Sequence, residues 1–353
     1  MGDLKSASHH PAFGGISGWP EDDHAAAFRA YLRTCQAGVL DELPAGSLLR
    51  DAACALSPKI GPAAARAFFE EHFTPQGHAA TDPPGFVTAY YEPELRGSRT
   101  KSAHFPVPIY GRPDDLVTTI GETERARYNG SVTGFRRMAD GDVPYHTRAE
   151  IEAGALARRG LELLYTDDPV DFYFMQVQGS GLVHLDDGSS VRLTYAGKNG
   201  HPYTSIARVL VERNALRREE IGMETVKAWL KADDERGREV MQRNESYVFF
   251  HELPKDQARD GPLGADGVVL TPGRSLAVDP TYIPLGSPVF VTVPGLAGED
   301  GRIFRRLMIA QDVGSAIGGP RRGDLFIGTG EAAGALAGQV RHEARFHVLA
   351  PKR

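Results

Sequence analysis

The sequence predicts a mainly β protein with added α-helices, in which the C-terminal part of the chain closes into a small barrel. Short apolar runs separated by Gly and Pro recur from residue 268 to the end, at the spacing of strands joined by tight turns. The N-terminal part is instead Ala-rich with helical periodicity, and the middle mixes both patterns. Because 353 residues are long for one compact core, two domains are expected.

The first elements follow from the spacing of aromatic residues. Residues 25–32 and 61–73 are Ala-rich and carry Phe, Tyr and Leu at helical intervals, which predicts two core-covering helices. From Phe86 the run FVTAYY alternates in polarity and is rich in β-forming residues, so a strand is predicted there.

The middle of the chain predicts one strand, one hairpin and two helices. Residues 170–177 are an apolar run ending at the turn QGSG, which favours a strand, and the runs on either side of Asp187-Gly188 favour a hairpin. Residues 203–212 and 219–244 have apolar stripes at helical spacing. The strands predicted after residue 268 are VVLT, SLAVD, PVFVTV, RLMIAQD, DLFIG and ARFHVLA, with EAAGALA as a helix.

Charge and composition exclude several functions. The net charge of -6 offers no basic excess for phosphates, so no nucleic-acid partner is expected, and a neutral or mixed-charge polymer fits better. The twelve histidines show no HExxH and no paired-ligand spacing, so no metal is expected. The pair Cys35 and Cys54 leaves two alternatives open, a single disulfide or two reduced thiols.

Three aspartates in the C-terminal part are candidates for acid/base chemistry. Asp279 and Asp312 end predicted strands, and Asp324 opens another. A carboxyl group protonates a glycosidic oxygen well when burial or a neighbouring carboxylate raises its pKa. The glycine-rich loop from Asp312 to Asp324, which lie twelve positions apart, can bring both carboxylates to one site. The alternative for each is an aspartate that caps a turn.

A second cluster has the side chains of a sugar-binding surface. Aromatic rings stack on pyranose faces, and amides and hydroxyls bond sugar hydroxyl and N-acetyl groups. The alternative is that QGSG is only a tight turn and that the tyrosines pack. The candidate residues are Tyr90, Gln176, Gln178, Ser180, Lys198 and Tyr203, with Asp279 from the first group.

Eight motifs in a fixed order, covering about residues 86–351, resemble the membrane-bound lytic murein transglycosylase A family, whose C-terminal β-stretch is a 3D segment. They are YYEPELRGSRT, FPVPIY, MQVQGSG, YAGKNGHPYTSIARVL, NESYVFF, LAVDPTYIPLGSPVFV, MIAQDVGSAIGGPRRGDLFIGTGEAAG and RFHVLAP.

The resemblance implies a double-psi β-barrel domain interrupted by a smaller β-domain, with a glycan groove between them. Residues 1–105 and 245–353 are expected to form the barrel domain with its N-terminal helices, and residues 106–244 the inserted substrate-binding domain with helices. It implies cleavage of the MurNAc-GlcNAc β-1,4 bond of peptidoglycan without water, leaving 1,6-anhydromuropeptides. The family's acid/base aspartate falls on Asp324 and its supporting partner on Asp312.

The expected partners are peptidoglycan glycan strands, with no cofactor, no metal and no second copy of the chain. A periplasmic location is expected, associated with the outer membrane in a full-length precursor, although the first twenty residues show no signal peptide or lipid-anchor motif. Two alternatives remain: a hydrolytic glycosidase, which needs a second, water-activating carboxylate, and a peptidoglycan-binding protein without turnover.

Overall fold

The protein divides into two compact units in a computed structural model that describes residues 12–42, 46–77, 83–118, 131–255, 260–298, 301–314 and 316–352. The barrel unit comprises Met1–Tyr91, Leu263–Gly328 and Leu336–Arg353. The insert unit comprises Glu92–Pro262 and Thr329–Ala335.

Strands and helices both occur throughout the described residues, mostly in runs of one kind. In chain order the strands are β1 (Phe73–Gln76), β2 (Gly85–Glu92), β3 (Glu94–Ser98), β4 (Val107–Tyr110), β5 (Leu116–Val117), β6 (Phe135–Arg136), β7 (Val143–Pro144), β8 (Glu162–Thr166), β9 (Ser180–Leu185), β10 (Ser190–Lys198), β11 (Val248–Glu252), β12 (Ser275–Val278), β13 (Pro288–Ala297), β14 (Ile303–Val313), β15 (Arg322–Thr329) and β16 (Arg341–Pro351). The helices are α1 (His24–Gln36), α2 (Gly46–Cys54), α3 (Pro62–His72), α4 (Arg148–Glu150), α5 (Pro169–Gln178), α6 (Ile206–Glu212), α7 (Met223–Lys231), α8 (Asp234–Gln242) and α9 (Glu331–Ala337).

Six strands of the barrel unit close on themselves. Their order is β16-β13-β14-β12-β15-β2, and the ring is completed because β2 pairs with the first residues of β16. The last residues of β16 pair with β1, which lies outside the ring. The pair β12–β14 is parallel, whereas β13–β14, β12–β15 and β13–β16 are antiparallel. This closed barrel with added helices confirms the predicted fold class, and it is consistent with the double-psi arrangement.

The two faces of the barrel strands bury different cores because side chains alternate along a strand. On β13, Val289 and Val291 point into a core with Leu276, Met308 and Phe346. Residues of the opposite face pack instead against helices α1, α2 and α3. That outer core includes Phe290, Leu307, Ile309 and Leu349 from the barrel, and Trp19, Phe28, Tyr31, Phe68 and Phe69 from the N-terminal segment.

The insert unit contains a six-stranded sheet in the order β11-β10-β9-β3-β8-β4 and a three-stranded sheet in the order β5-β6-β7. The predicted hairpin is present as the antiparallel pair β9–β10, whose register brings Ser190 opposite His184. Helices α5, α6, α7 and α8 of this unit share one hydrophobic core.

The sequence-based prediction of a strand at residues 170–177 is wrong, because this segment is helix α5. Asp168 caps it by accepting hydrogen bonds from the Val170 and Asp171 amides, Pro169 occupies its first turn, and Gly179 ends it at φ 87°. Helix α5 is buried on most sides, so its apolar run lacks the amphipathic spacing that distinguishes a helix from a strand.

Two other predicted elements differ from the structure. Residues 219–244 form two helices, since the Asp233 side chain caps a new helix by accepting from the Arg236 amide. Gly237 allows their close contact, because a Cβ there would lie 2.2 Å from the Leu230 carbonyl oxygen. The predicted strand VVLT makes only an isolated bridge between Leu263 and Val269.

The chain passes between the two units at 91/92, 262/263, 328/329 and 335/336, whereas the expected domain boundaries are 105/106 and 244/245. Strand pairing explains the difference, since β3 and β4 both pair with β8, and β11 pairs with β10. The domain boundaries themselves stay a prediction.

Cys35 is buried and Cys54 is exposed, and both are free thiols. Burial raises the pKa of the Cys35 thiol far above its usual range. The helices of the described residues include none with the length and hydropathy of a membrane span.

A buried ion pair fastens the segment before α1 to the barrel. The Arg274 guanidinium donates to both carboxylate oxygens of Asp22, at 2.8 and 2.9 Å, and also to the Leu307 carbonyl oxygen. The Leu307 amide donates to Asp22 at 2.7 Å. Both charged side chains are at most 7% exposed, so all of these groups depend on one another for partners.

Replacing Asp22 by Ala should lower the free energy of unfolding by about 3–5 kcal/mol, because it leaves Arg274 buried without its partner carboxylate. Urea unfolding followed by circular dichroism measures the change. Arg208→Ala, which breaks an ion pair with Glu212 that is more than 60% exposed on both sides, is the control and should change the midpoint little. Equal losses in the two variants would contradict this prediction.

Candidate active site

Strand β2 presents one row of side chains to the candidate aspartates. Phe86, Thr88 and Tyr90 alternate with Val87, which lies in the barrel core, and with the buried Tyr91. Because neighbours two apart on a strand share a face, the three side chains point the same way. The alternation in FVTAYY predicted the strand, which the structure confirms.

Asp324 lies on β15 and is partly buried. Its carboxylate oxygen Oδ1 accepts a hydrogen bond from the Thr88 hydroxyl. The Thr88 oxygen in turn accepts from the Arg322 guanidinium at 2.6 Å. Burial raises the pKa of Asp324 to about 6, helped by the negative charge of Asp312 and opposed by the Thr88 hydrogen bond and the Arg322 charge.

Asp312, near the end of β14, accepts three hydrogen bonds. The Tyr90 hydroxyl donates to Oδ2 at 2.8 Å, and the Ala265 and Val313 amides donate to Oδ1 at 3.0 and 2.9 Å. Burial raises the pKa of this carboxyl, and the three donors oppose that rise. Since every partner donates, the ionised carboxylate is the form that this arrangement fits.

Sheet register brings Asp312 and Asp324 together. Ala277 of β12 is opposite Asp312 across the parallel pair and opposite Asp324 across the antiparallel pair. The small Ala277 side chain therefore lies between the two aspartates in one row across three strands. Their proximity was expected from the glycine-rich loop, but strand pairing provides it.

Asp279, the third candidate, binds backbone amides. Its two oxygens accept from the Thr281 amide at 3.0 Å and the Gly319 amide at 2.8 Å. These hydrogen bonds lower its pKa, so it is an ionised group that ties the end of β12 to the glycine-rich loop. Its geometry is that of the turn-capping alternative.

Asp266 lies close to Asp312, although nothing in the sequence analysis singled it out. It lies in the turn from Gly264 to Val269, and its carboxylate accepts from the Val268 amide at 3.1 Å and the Thr34 hydroxyl at 3.3 Å. Burial raises its pKa to about 7, and the neighbouring Asp312 charge adds to the rise. In the sequence GADG it resembles an ordinary turn aspartate.

Thr88, Arg322 and Phe86 were also missed. Thr88 and Arg322 bond to Asp324 or to each other, and the Arg322 guanidinium lies 5.5 Å from the centre of the Phe86 ring. Phe86 is 38% exposed and lies beside the partly buried Arg322 side chain. Two sequence features could have predicted these residues. Side chains alternate with a two-residue period along β2, and Arg322 and Asp324 are two positions apart, so they lie on the same face of their strand.

Gln176, a predicted sugar-binding residue, is buried inside the insert unit. Its oxygen accepts from the Arg148 guanidinium at 2.6 Å, and its nitrogen donates to the Val248 carbonyl oxygen at 2.9 Å. Arg148 is itself 2% exposed and lies against the rings of Tyr173 and Tyr247. Both ends of the Gln176 amide thus hold α5 to β11 and α4.

The other predicted sugar-binding residues of this unit lie nearer its surface. Gln178 is in the last turn of α5, and Ser180 begins β9 directly after it. Lys198 ends β10 and pairs with Val248. Tyr203 is 48% exposed. Within the parts of the chain that the structure describes, no group of three or more His, Cys, Asp or Glu side chains could hold a metal ion.

The structure is a closed six-stranded barrel in which two aspartates on neighbouring strands, each hydrogen-bonded to other groups, share one row. The chain matches the family model described as the MltA specific insert domain over residues 86–251 and that described as the 3D domain over residues 274–350. The chain belongs to the membrane-bound lytic murein transglycosylase A (MltA) family.

Solved structures of this family have the same fold. A membrane-bound lytic murein transglycosylase from Agrobacterium tumefaciens is 36% identical, with a TM-score of 0.87 and 98% of each chain covered. MltA from Neisseria gonorrhoeae, in a monoclinic form, is 33% identical, with a TM-score of 0.82, over 97% of this chain and 92% of the other. Escherichia coli MltA with bound chitohexaose is 26% identical, with a TM-score of 0.70, over 100% and 94%.

Curated relatives extend beyond the matched region. The membrane-bound lytic murein transglycosylases A of Vibrio cholerae and Escherichia coli are 34% and 35% identical over 267 residues. The match covers 74% of this chain and 64% of each relative.

Two substitutions should move the pKa of Asp324 in opposite directions. Asp312→Asn should lower it, because a negative neighbour is lost, and Arg322→Gln should raise it, because a positive neighbour is lost. Carbon-13 NMR titration of the Asp324 carboxyl measures both shifts. Asp23→Asn, which changes the capping residue of α1, is the control and should leave the pKa unchanged. Shifts of the same sign in the first two variants would be incompatible with this charge arrangement.

Proposed function

We propose that this protein is a lytic transglycosylase that cleaves the MurNAc-GlcNAc β-1,4 bond of peptidoglycan and leaves 1,6-anhydromuropeptides. Asp324 acts first as acid and then as base. The observation that carries the proposal is that the partly buried Asp324 lies in one row with Asp312, a carboxylate held by three donors, in surroundings that raise the pKa of Asp324 to about 6.

The raised pKa makes Asp324 able to donate a proton near neutral pH. A carboxyl with the ordinary aspartate pKa of 3.8 is protonated roughly once in a thousand molecules at pH 7, whereas a pKa of about 6 gives roughly one in ten. General acids work best when their pKa lies near the working pH. Burial beside Asp312 therefore provides the protonated form that the first step needs.

One carboxyl group can serve both steps. Protonated Asp324 donates its proton to the glycosidic oxygen as the C1–O bond breaks, and the GlcNAc end leaves as an alcohol. The resulting carboxylate then takes the proton of the muramoyl C6 hydroxyl, whose oxygen forms a bond to C1 of the same ring. Asp324 ends protonated again, and no water is consumed. A well-oriented intramolecular nucleophile can reach an effective concentration of about 10⁵ M or more, so water is not needed.

The hydrogen bonds of Asp312 favour this reaction over hydrolysis. An inverting glycosidase needs a second carboxylate free to accept a proton from water. Asp312 already accepts from Tyr90 and two backbone amides. A supporting role fits better, in which its negative charge keeps Asp324 protonated and stabilises the positive charge that develops at C1.

Thr88 and Arg322 steady the ionised form of Asp324 between the two steps. The Thr88 hydroxyl donates to the carboxylate, and Arg322 fixes that hydroxyl by donating to its oxygen. Both lower the pKa of Asp324 and so limit the rise caused by burial. The group can therefore give up its proton as well as hold it.

Glycan strands are the proposed substrate, since the relative from Escherichia coli was solved with chitohexaose, a glycan. Phe86 is the ring best placed to stack on a sugar near Asp324, because it is exposed beside Arg322 on the face of β2 that carries Thr88. In the insert unit, Gln178, Ser180, Lys198 and Tyr203 remain the proposed sugar contacts. Gln176 contributes by holding this unit together.

Such a substrate requires an envelope location. The relatives named membrane-bound support the same assignment, so a periplasmic location facing the cell wall is proposed. One chain provides all the residues invoked, and the proposed chemistry uses no cofactor.

Asp324→Asn should abolish release of 1,6-anhydromuropeptides from purified sacculi, because the amide cannot donate and then accept a proton in this way. Mass spectrometry of the digest distinguishes anhydro products, which are one water lighter than hydrolysis products. Asp51→Asn, an exposed carboxyl of α2, is the matched control and should keep wild-type activity. Turnover by the Asp324 variant, or hydrolysed ends from the wild type, would overturn the proposal.

Phe86→Ala should raise the KM for soluble glycan fragments roughly 2- to 10-fold, the range expected for loss of one stacking contact, and should change kcat little. Phe86→Trp should keep a KM near that of the wild type. Ile303→Ala removes an exposed apolar side chain from another strand of the barrel unit and serves as the control. An unchanged KM in Phe86→Ala would remove Phe86 from the glycan surface.

A further inference from the structure

Helix α1 is connected to the candidate active site through two consecutive residues. The Arg33 guanidinium donates to the Val269 carbonyl oxygen at 3.3 Å, and the Thr34 hydroxyl donates to the Asp266 carboxylate at 3.3 Å. Both contacts are to the Gly264–Val269 turn, so α1 holds this turn at two points.

The Gly264–Val269 turn also contacts the end of β14. The Asp266 amide donates to the Gln311 carbonyl oxygen at 3.3 Å, and the amide of the preceding residue, Ala265, donates to Asp312 at 3.0 Å. Gly264 is close to the same strand, since a Cβ there would lie 2.2 Å from the Gln311 carbonyl oxygen. A small displacement of the turn would move the Ala265 donor away from Asp312.

The Thr34 hydroxyl is oriented by a buried amide. Gln311 donates through Nε2 to the Thr34 oxygen at 2.8 Å and to the Ala30 carbonyl oxygen at 3.1 Å. Ser275 fixes the other end of the amide by donating to Oε1 at 2.5 Å. Because the Thr34 oxygen accepts from Gln311, its own proton is directed to Asp266.

We propose that Asp266, held by Thr34 of α1, is a positioning residue for the Asp312–Asp324 pair, acting through the Ala265 amide on Asp312. This inference rests on the proposed function of that pair. The Asp266 carboxylate accepts from Thr34 of α1, and Asp312 of β14 and Tyr90 of β2 are near enough for their electrostatic interaction with it to shift pKa values. If this turn needed only to pack against α1, an apolar side chain would be sufficient at position 266. The partly buried Asp266 carboxylate instead accepts hydrogen bonds from its own turn and from α1, and these directional contacts fix the orientation of the turn.

The contacts define a test at Thr34, which is distant in sequence and does not bond the aspartate pair. Thr34→Val removes the hydroxyl with little change of shape, and it should lower kcat about 2- to 30-fold with KM unchanged, the range expected for a residue that acts through others. Thr34→Ser keeps the hydroxyl and should retain most of the wild-type kcat. Asp23→Ala removes the cap of the same helix and serves as the control for lost helix stability, with Tm lowered and kcat unchanged.

A second readout does not depend on turnover. In Thr34→Val, carbon-13 NMR titration should show a higher pKa for the Asp266 carboxyl, because its ionised form loses a donor. A wild-type kcat and an unshifted Asp266 pKa in Thr34→Val would overturn the inference, as would a kcat that falls in Asp23→Ala in proportion to its Tm. A wild type that releases no anhydro products would instead refute the proposed function, and the assignment of Asp266 to a catalytic centre would fall with it.

Discussion

The candidate active site depends on keeping two carboxyl groups side by side in a partly buried place. Burial and the charge of Asp312 raise the pKa of Asp324, while the Thr88 hydroxyl and the Arg322 charge lower it. The balance of these effects leaves Asp324 with a pKa of about 6, which is close to neutral pH. A carboxyl group with such a pKa can both donate and accept a proton there. The closed barrel maintains this balance, since β14, β12 and β15 must stay paired for Ala277 to lie between the aspartates.

The N-terminal helices of the barrel unit share in this constraint. Arg274 and Asp22 fasten the segment before α1 to the barrel with a buried bidentate ion pair. Thr34 and Gln311 then extend a polar connection from α1 towards Asp266. Buried polar groups of this kind are worth most when every member is satisfied, and they fix one orientation where an apolar contact would allow several. The helices therefore cover the barrel, and α1 also holds the turn that carries Asp266.

The insert unit uses polar side chains differently. Arg148 donates to Gln176 and to the carbonyl oxygens of Asn244 and Ser246, and Asn199 donates to the His146 and Glu245 carbonyl oxygens. These contacts satisfy backbone groups in loops that no strand ladder reaches. In a sequence, such structural residues resemble ligand-binding residues, because a structural network and a binding site each need amides and cations at fixed places. Their burial separates the two cases.

The sequence alone determined the parts of this protein that depend on local pattern. Alternation predicted β2 and the hairpin at Asp187-Gly188, the spacing of short strands predicted the barrel, and ordered motifs identified the family with Asp312 and Asp324 as its candidate pair. Only the tertiary structure decided what depends on packing. It showed that residues 170–177 are a helix, because a segment buried on most sides carries no periodic signal. It also brought Thr88 and Asp266 close to the aspartate pair. Thr88 and Asp324 are more than two hundred positions apart in the sequence, and a turn contact connects the Asp266 segment to Asp312. No local sequence pattern can predict contacts between such distant residues.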